Sequence, residues 1–251
     1  MNENNILINR LDDYISKALK TDRPVYTDFL NPAQQSLYID ILDKSKDVVY
    51  FAFGGHERCE RRVFCISSVF SDIVPEFGNI KVIKIDFDKF NKKWITHRSI
   101  LGAILGLGND RRMVGDILIK ELSAYVFLFD TTAEFVGQSL VSVGGANVST
   151  TVLKTTDLDF EYEQGAIKKA TVPSLRLDSV LSAGLNLSRG KAAELVASDL
   201  VFVNWKQRSK ANFVLKENDV ISIRKRGRIV LKSIGKQSAK GRTWIELECF
   251  L

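Results

Sequence analysis

RLDSVLSAGLNLSRGKAAELVASDLVFVNW, residues 176–205, reads as two short helices joined by a tight turn and followed by a strand. Leu177, Val180 and Leu181 recur at helical spacing, Asn186 supplies turn chemistry, and Ser188 is a good N-cap for the second helix. That second helix is charged the wrong way round. Its first turn carries Arg189 and Lys191, cations facing the positive end of the helix dipole at a cost of ~0.3–1 kcal/mol each at an exposed end, and Lys191 stands where the Glu of a capping box would fall. Two readings are open. The unpaired amides of a helix start attract anions, so neighbouring cations can complete a phosphate site; alternatively, the end is simply solvated and the small penalty is absorbed elsewhere.

Further cations surround this segment. Arg176 reads as part of the first helix, Lys206, Arg208 and Lys210 follow the strand in NWKQRSK, and IRKRGR places Arg224, Lys225, Arg226 and Arg228 around Gly227 at the tip of a hairpin. Each run alone reads as solvated surface, but runs at the ends of short neighbouring elements can converge on one face. The whole chain of 251 residues carries a net charge of +6. From Lys168 onward it holds 17 Lys and Arg against 7 Asp and Glu, net +10, whereas the first 167 residues hold 19 against 23, net −4. This asymmetry points to a polyanionic partner for the carboxyl-terminal part.

Upstream, ILINRLDDYISKAL and PAQQSLYIDIL carry helical spacing, and VVYFAFGG runs through a Gly54-Gly55 turn into a second strand in HERCERRVFCISS. From about residue 79 the order is strand IKVIKIDF, helix THRSILGAILGL, strands GDILI and AYVFLFD, helix TAEFVGQSLVSV and strand NVSTTVLK. This βαββαβ succession is the split arrangement of ferredoxin-like and RNA-recognition domains. The aromatic consensus by which such a sheet stacks bases is missing, so nucleic-acid binding by this unit needs another surface, and a purely structural scaffold stays open. The predicted fold is α+β: an N-terminal α/β region over 1–77, a ferredoxin-like central domain over 78–165 and a small basic domain over 173–251 that ends in a strand.

No apolar stretch approaches the ~20 residues of a membrane span, and MNENNILINRLDDYI is no signal peptide; a cytoplasmic protein without a membrane partner is expected. Cys59, Cys65 and Cys249 are too few and too odd for a disulfide framework, and with His56 they match no zinc spacing. No cofactor or metal is expected. Gly106 and Gly108 follow a helix rather than a strand, which suits helix termination better than a methyltransferase loop. Asp86 and Asp88 form a carboxylate pair better explained by solvation, and Asp178 reads as a surface or packing residue. An enzyme is not expected; an RNA-modifying enzyme of pseudouridine synthase or methyltransferase type is the alternative. In THRSILGAILGLGNDRRMVGD, residues 96–116, His97, Arg98, Arg111 and Arg112 sit at the two ends of a helix, where they suit either phosphate binding or fold maintenance.

Residues 174–235 resemble the S-four-like, or alpha-L, RNA-binding domain, through the two helices, the Ser188-Arg189 pair, VFVN and VISIRKRG in order. Asp199-Leu200 and Trp205 stand where that pattern often has Gly. The resemblance implies that Arg176, Ser188, Arg189, Lys191, Asn204 and Lys206 line an RNA-facing surface, with Arg208, Arg226 and Arg228 beside them. The central segment resembles the YlmH family of bacterial RNA-binding proteins through His97, Arg98, Leu101, Gly102, Gly106-Leu107-Gly108, Arg111 or Arg112 and Gly115-Asp116, and FGGHERCERRVFCIS looks like that family's Gly-Gly turn. This implies a non-catalytic, monomeric protein that binds structured RNA (rRNA, tRNA). It further implies engagement of the ribosomal large subunit carrying peptidyl-tRNA during rescue of stalled translation and ribosome-associated quality control. A phenotype linked to cell division would also fit, and His97, Arg98, Arg111 and Arg112 are a second candidate contact.

Overall fold

The computed structural model describes residues 3–71, 77, 79–158, 165–224, 226–239 and 241–251. Contacts divide the chain into two compact units, residues 1–160 and 161–251.

The first unit begins with α1 (Glu3–Thr21), β1 (Val25–Tyr26), α2 (Pro32–Leu42), β2 (Val48–Phe53) and β3 (Val63–Ser68). The start of α2 is set by Asn31 and Gln34, which form a reciprocal capping box ahead of Pro32. The strands make an antiparallel sheet in the order β1-β3-β2, and Leu11 of α1 and Tyr38 of α2 pack with Phe64 and Ile66 of β3 in one buried cluster. Next come β4 (Ile80–Asp86), α3 (His97–Gly106), β5 (Val114–Ile119), β6 (Ser123–Phe129), α4 (Asp130–Ser139), β7 (Ser142–Val143), β8 (Ala146–Asn147) and β9 (Ser149–Lys154). The four long strands order as β5-β6-β4-β9, with neighbours antiparallel, which is the ferredoxin-like arrangement. Where the apolar run over 132–143 predicts helix to its end, α4 stops at Ser139. Gly144 and Gly145 both take positive φ, and that lets β7 and β8 close a small hairpin instead.

Both faces of the central sheet are covered. Ile83, Val126 and Leu128 pack under Ile100 and Ile104 of α3 and Val136 of α4. The opposite face, presented by Ile80, Val82 and Phe127, is buried against Phe29, Cys59 and Val63 from the N-terminal region. At ~1.5–3 kcal/mol for each large apolar side chain fully removed from water, neither face can be exposed cheaply.

The junction within this unit explains two glycines. A Cβ on Gly55 (φ +100°) would stand 2.3 Å from the Phe127 ring, and one on Gly115 would stand 2.7 Å from Phe29. It also explains Asp116, whose carboxylate accepts from the backbone N–H groups of Glu60 (2.6 Å) and Arg61 (3.0 Å). The Arg61 side chain donates in turn to the carbonyls of Val114 (2.9 Å) and Phe29 (2.6 Å).

The second unit holds β10 (Ala166–Val172), α5 (Leu177–Leu185), α6 (Arg189–Ala197), β11 (Val201–Val203), β12 (Lys206–Gln207), β13 (Val220–Ile223), β14 (Gly227–Gln237) and β15 (Thr243–Phe250). Its sheet runs β10-β15-β14-β13-β11-β12. Strand β10 pairs along its length with the C-terminal strand β15, so the sheet gathers residues ahead of the first helix as well as those after it. Leu177, Val180 and Leu181 of α5 and Ala192 and Val196 of α6 bury against Ile221, Ile229 and Leu247 of the sheet. The predicted strand over 200–205 ends at Val203. Asn204 and Trp205 both adopt left-handed backbone (φ 47° and 60°) and form the two-residue loop between β11 and β12. No helix among the described residues is long and apolar enough to cross a membrane.

The Gly55→Ala substitution is expected to lower the unfolding free energy by on the order of 2–4 kcal/mol, combining left-handed backbone strain with overpacking against Phe127. Gly102→Ala is expected to act in the opposite direction. No protein atom lies within 4 Å of its added Cβ, so helix propensity alone gives a gain of about 0.5–1 kcal/mol. Urea denaturation of the two variants checks both.

Candidate nucleic-acid interface

The cationic first turn of α6 has an internal explanation as well as an external one. Ser188 caps the helix as predicted, accepting from the Lys191 N–H at 3.3 Å. Arg189, however, is not turned outward alone: its Nε donates to Asp178 at 3.0 Å. Arg176 is the N-cap residue of α5 rather than part of the helix, and it donates to the same carboxylate through Nε (3.2 Å) and an Nη (3.1 Å). The Asp178 side chain is 6% exposed. Burial raises its pKa, but hydrogen bonds and charge from Arg176 and Arg189 outweigh that and hold it below the ordinary carboxylate value. Asp178 is therefore the anionic hub that fixes two half-exposed arginines relative to each other.

Lys191, two residues beyond Arg189, is exposed and lines a shallow groove of about 380 Å³ with Leu187, Glu194, Ser198 and Arg226. Arg226 reaches this groove from the β13–β14 turn, where Gly227 (φ +100°) leaves no room for a side chain against Phe250. The fold thus brings Lys191 and Arg226 together from sequence-distant elements. Lys225, in the same turn, lies outside the described residues.

The other predicted contacts divide. Lys206 is exposed on the edge strand β12. The Arg208 guanidinium lies 4.2 Å from the Phe213 ring, and that of Arg228 lies 4.4 Å from Phe250, so both are stacked on the unit's own aromatics. Asn204 is a hairpin residue. Its amide donates to Asp219 at 2.8 Å and accepts from the Val220 N–H at 2.9 Å, which ties the tight loop to β13. Asp199, at one of the positions where Gly is common, has φ 58°, and its carboxylate accepts from Ser209, a local use that suits Asp in left-handed backbone.

The second candidate set, at the ends of α3, is largely engaged internally. Arg111 donates to the carbonyls of Val114 and, at 3.4 Å, Gly115. Arg112 pairs with Asp110 (2.7 Å) and Asp28 (3.4 Å). Burial and the Arg111 charge hold the His97 imidazole below its ordinary pKa, so it is neutral near pH 7. Burial and Arg111 also bring Arg61 down to about 10, and burial raises the Asp116 carboxyl. Four polar groups, His97, Arg111, Asp116 and Arg61, therefore form one electrostatically coupled cluster at the junction of the N-terminal and central parts. Arg98 and Arg112 have exposed positions outside that cluster, Arg112 within its ion pairs to Asp110 and Asp28. Sequence reasoning missed Arg61 and Asp178 as positioning residues. The available signal was an arginine beside a carboxylate at each place, but surface pairs look the same in a sequence.

The three cysteines are buried and none is in a disulfide among the described residues. Among the described residues no group of three or more His, Cys, Asp or Glu is placed to share an ion.

Three family models match the chain. Residues 3–68 match a family model described as "YlmH, N-terminal", residues 75–157 one described as "Putative RNA-binding domain in YlmH", and residues 175–221 the S4 domain. A relative from Bacillus subtilis (strain 168), "Ribosome-associated protein quality control protein P2", is 32% identical over 248 residues, covering 94% of this chain and 93% of that one. The solved structure of "Cell division protein ylmH from Streptococcus pneumoniae" superposes with a TM-score of 0.54 at 23% identity, covering 63% of this chain and 96% of that chain. At that identity the likeness bears on fold alone.

Asp178→Asn keeps the shape of the side chain but removes the charge that holds both arginines. The expected loss near neutral pH is about 1–3 kcal/mol, below that for a fully buried pair because the arginines retain water. The depressed pKa gives the sign of the pH effect: the wild-type advantage is complete above the ordinary carboxylate value of 3.8 and fades as pH falls through the lower folded value. Thermal melts of both proteins from pH 7 to pH 3 should converge at the acid end.

Proposed function

Because the chain belongs to the YlmH family, we propose that it is a non-catalytic RNA-binding protein of the cytoplasm, docking on structured rRNA or tRNA as a monomer. Its finer role in this reading is engagement of the ribosomal large subunit carrying peptidyl-tRNA, in rescue of stalled translation and quality control. The observation that carries the reading is the cationic face of the second unit, where Arg189 is oriented by Asp178 and Lys191 shares a groove with Arg226. A helix start beside a fixed guanidinium and an exposed lysine suits the phosphate backbone of a folded RNA and carries little base selectivity. The B. subtilis relative's name, which links that protein to ribosomes and quality control, supports the biological setting. A direct part in cell division is not needed by this reading.

Asp178 bears on the enzymatic alternative. A catalytic aspartate must face substrate, whereas this carboxylate is buried between two arginines of its own unit. Chromatography coupled to mass spectrometry of nucleosides, which resolves pseudouridine from isobaric uridine as well as methylated products, is expected to show no new modified nucleoside after incubation of RNA with the protein.

Two measurements test the docking site. Lys191→Glu with Arg226→Glu, which leaves the Asp178 ion pairs intact, is expected to weaken cosedimentation with large subunits while leaving the fold's melting transition in place; unaltered cosedimentation removes the site. Affinity for a folded RNA should fall roughly 100-fold between about 50 and 200 mM salt if about four phosphates are contacted, and a salt-independent affinity contradicts the phosphate assignment.

A further inference from the structure

A ferredoxin-like sheet that binds RNA ordinarily offers the face away from its helices, but here the centre of that face, at Val82 and Phe127, is buried under Phe29, Cys59 and Val63. The exposed aromatics of this part of the chain lie elsewhere. Between β4 and α3, the short 3₁₀ segment Lys89–Trp94 reads KFNKKW, and it leaves Phe90 91% and Trp94 53% exposed. A fully buried aromatic removes ~150–250 Å² from water, so internal packing does not account for Phe90 at all. The charges beside these rings have one dominant sign: Lys89, Lys92, Lys93 and Arg98 against Asp88, net +3. Lys93 Nζ lies 5.1 Å from the Trp94 ring centroid.

The segment is anchored rather than loose. Ser99 Oγ donates to the Trp94 carbonyl at 2.8 Å, Thr96 and Ser99 form a capping box at the start of α3, and Gly144 packs so closely on the Trp94 carbonyl that a Cβ there would approach it to 2.7 Å. The same Ser99 and Gly144 line an open groove of about 390 Å³ between α3 and the turn after α4, together with Ala103, Ser139, Val141 and Ser142. Arg98 and Gly102, one helical turn apart, continue the exposed surface of α3, and nothing crowds Gly102. Aromatic rings interleaved with cations, next to a groove with hydroxyl and apolar walls, match what an unpaired nucleotide offers: a stackable base, a sugar and a phosphate.

We propose that the Lys89–Arg98 segment with its adjoining groove is a binding site for single-stranded RNA, Phe90 and Trp94 stacking on bases while Lys89, Lys92 and Arg98 contact phosphates. This site is separate from the structured-RNA face of the second unit. The excess of positive charge and the separation of the two rings favour RNA over an apolar protein partner, which would want a contiguous patch with fewer charges at its centre.

Fluorescence anisotropy of the full chain with a labelled oligouridine of about 12 nucleotides, a length spanning a typical single-strand site, tests the proposal, with a stable RNA hairpin as the structured probe. Phe90→Ala with Trp94→Ala is expected to weaken oligouridine binding about 10-fold or more, given the usual worth of base stacking, and to leave hairpin binding unchanged. Lys191→Glu with Arg226→Glu is expected to do the reverse, so failure of one site is distinguishable from failure of the other. Equal oligouridine affinity in wild type and the aromatic variant overturns the proposal. So does loss of that affinity in the Lys191/Arg226 variant alone, or absence of oligouridine binding by the wild type, which would leave the patch to a protein. Both rings are exposed, so the aromatic variant should retain its circular dichroism and melting temperature; Lys89→Glu with Lys92→Glu, which removes no ring, provides the same reading independently.

Discussion

A carboxylate taken out of water has to be compensated on the spot, and each unit of this protein is arranged around one. In the second unit Asp178 draws Arg176 and Arg189 to itself from the starts of two different helices. That single requirement sets the relative placement of α5 and α6 at the end where Lys191 and the β13–β14 turn meet. A helix that begins with cations is no longer anomalous, since the first of its charges is paired with a buried carboxylate while staying half-exposed beside Lys191. The arrangement also leaves two half-exposed guanidiniums pre-positioned, so less side-chain entropy remains to be lost when a phosphate arrives.

In the first unit the corresponding group is Asp116, compensated chiefly by backbone N–H donors at residues 60 and 61 and by the charges of Arg61 and Arg111. Its effect is to clamp the segment after the Gly54-Gly55 turn against β5. That clamp and the packing of Phe29 on Phe127 turn what could be an open RNA-recognition sheet into a closed sandwich. A fold whose sheet is closed keeps its surface contacts mainly at strand ends and connections, and the connection between β4 and α3 carries two exposed rings, Phe90 and Trp94.

The order of elements was legible in the residues because it rests on local periodicity: the βαββαβ succession, the two helices after Pro173 and the basic hairpin around Gly227 all appear where the apolar spacing puts them. Departures occurred where one local feature overrode a longer pattern. Gly144 and Gly145 cut the amphipathic run of 132–143 short, and Asn204-Trp205 turned an apparent strand into a hairpin loop. The candidate site was partly legible. The clustering of cations near Lys191 followed from charge runs, and the capping place of Ser188 followed from its hydroxyl ahead of a helical run. The diversion of Arg111, Arg112 and Asn204 to internal partners did not follow, because a cation or amide looks identical in sequence whether its partner is a ligand or a carbonyl 50 residues away.

By itself, the sequence determined the succession of helices and strands, the acidic-to-basic change along the chain and the membership of a family, since each depends on neighbouring residues or on ordered motifs. Only the tertiary structure decided which arginines hold the fold together, that the second face of the central sheet is buried, and that Phe90 and Trp94 stand outside the core. The physical reason is that burial and ion pairing are properties of the folded contacts: Val82 meets Phe29 and Cys59 across a whole sheet, and Asp178 and Arg189, though only 11 residues apart, meet only because α6 folds back beside α5.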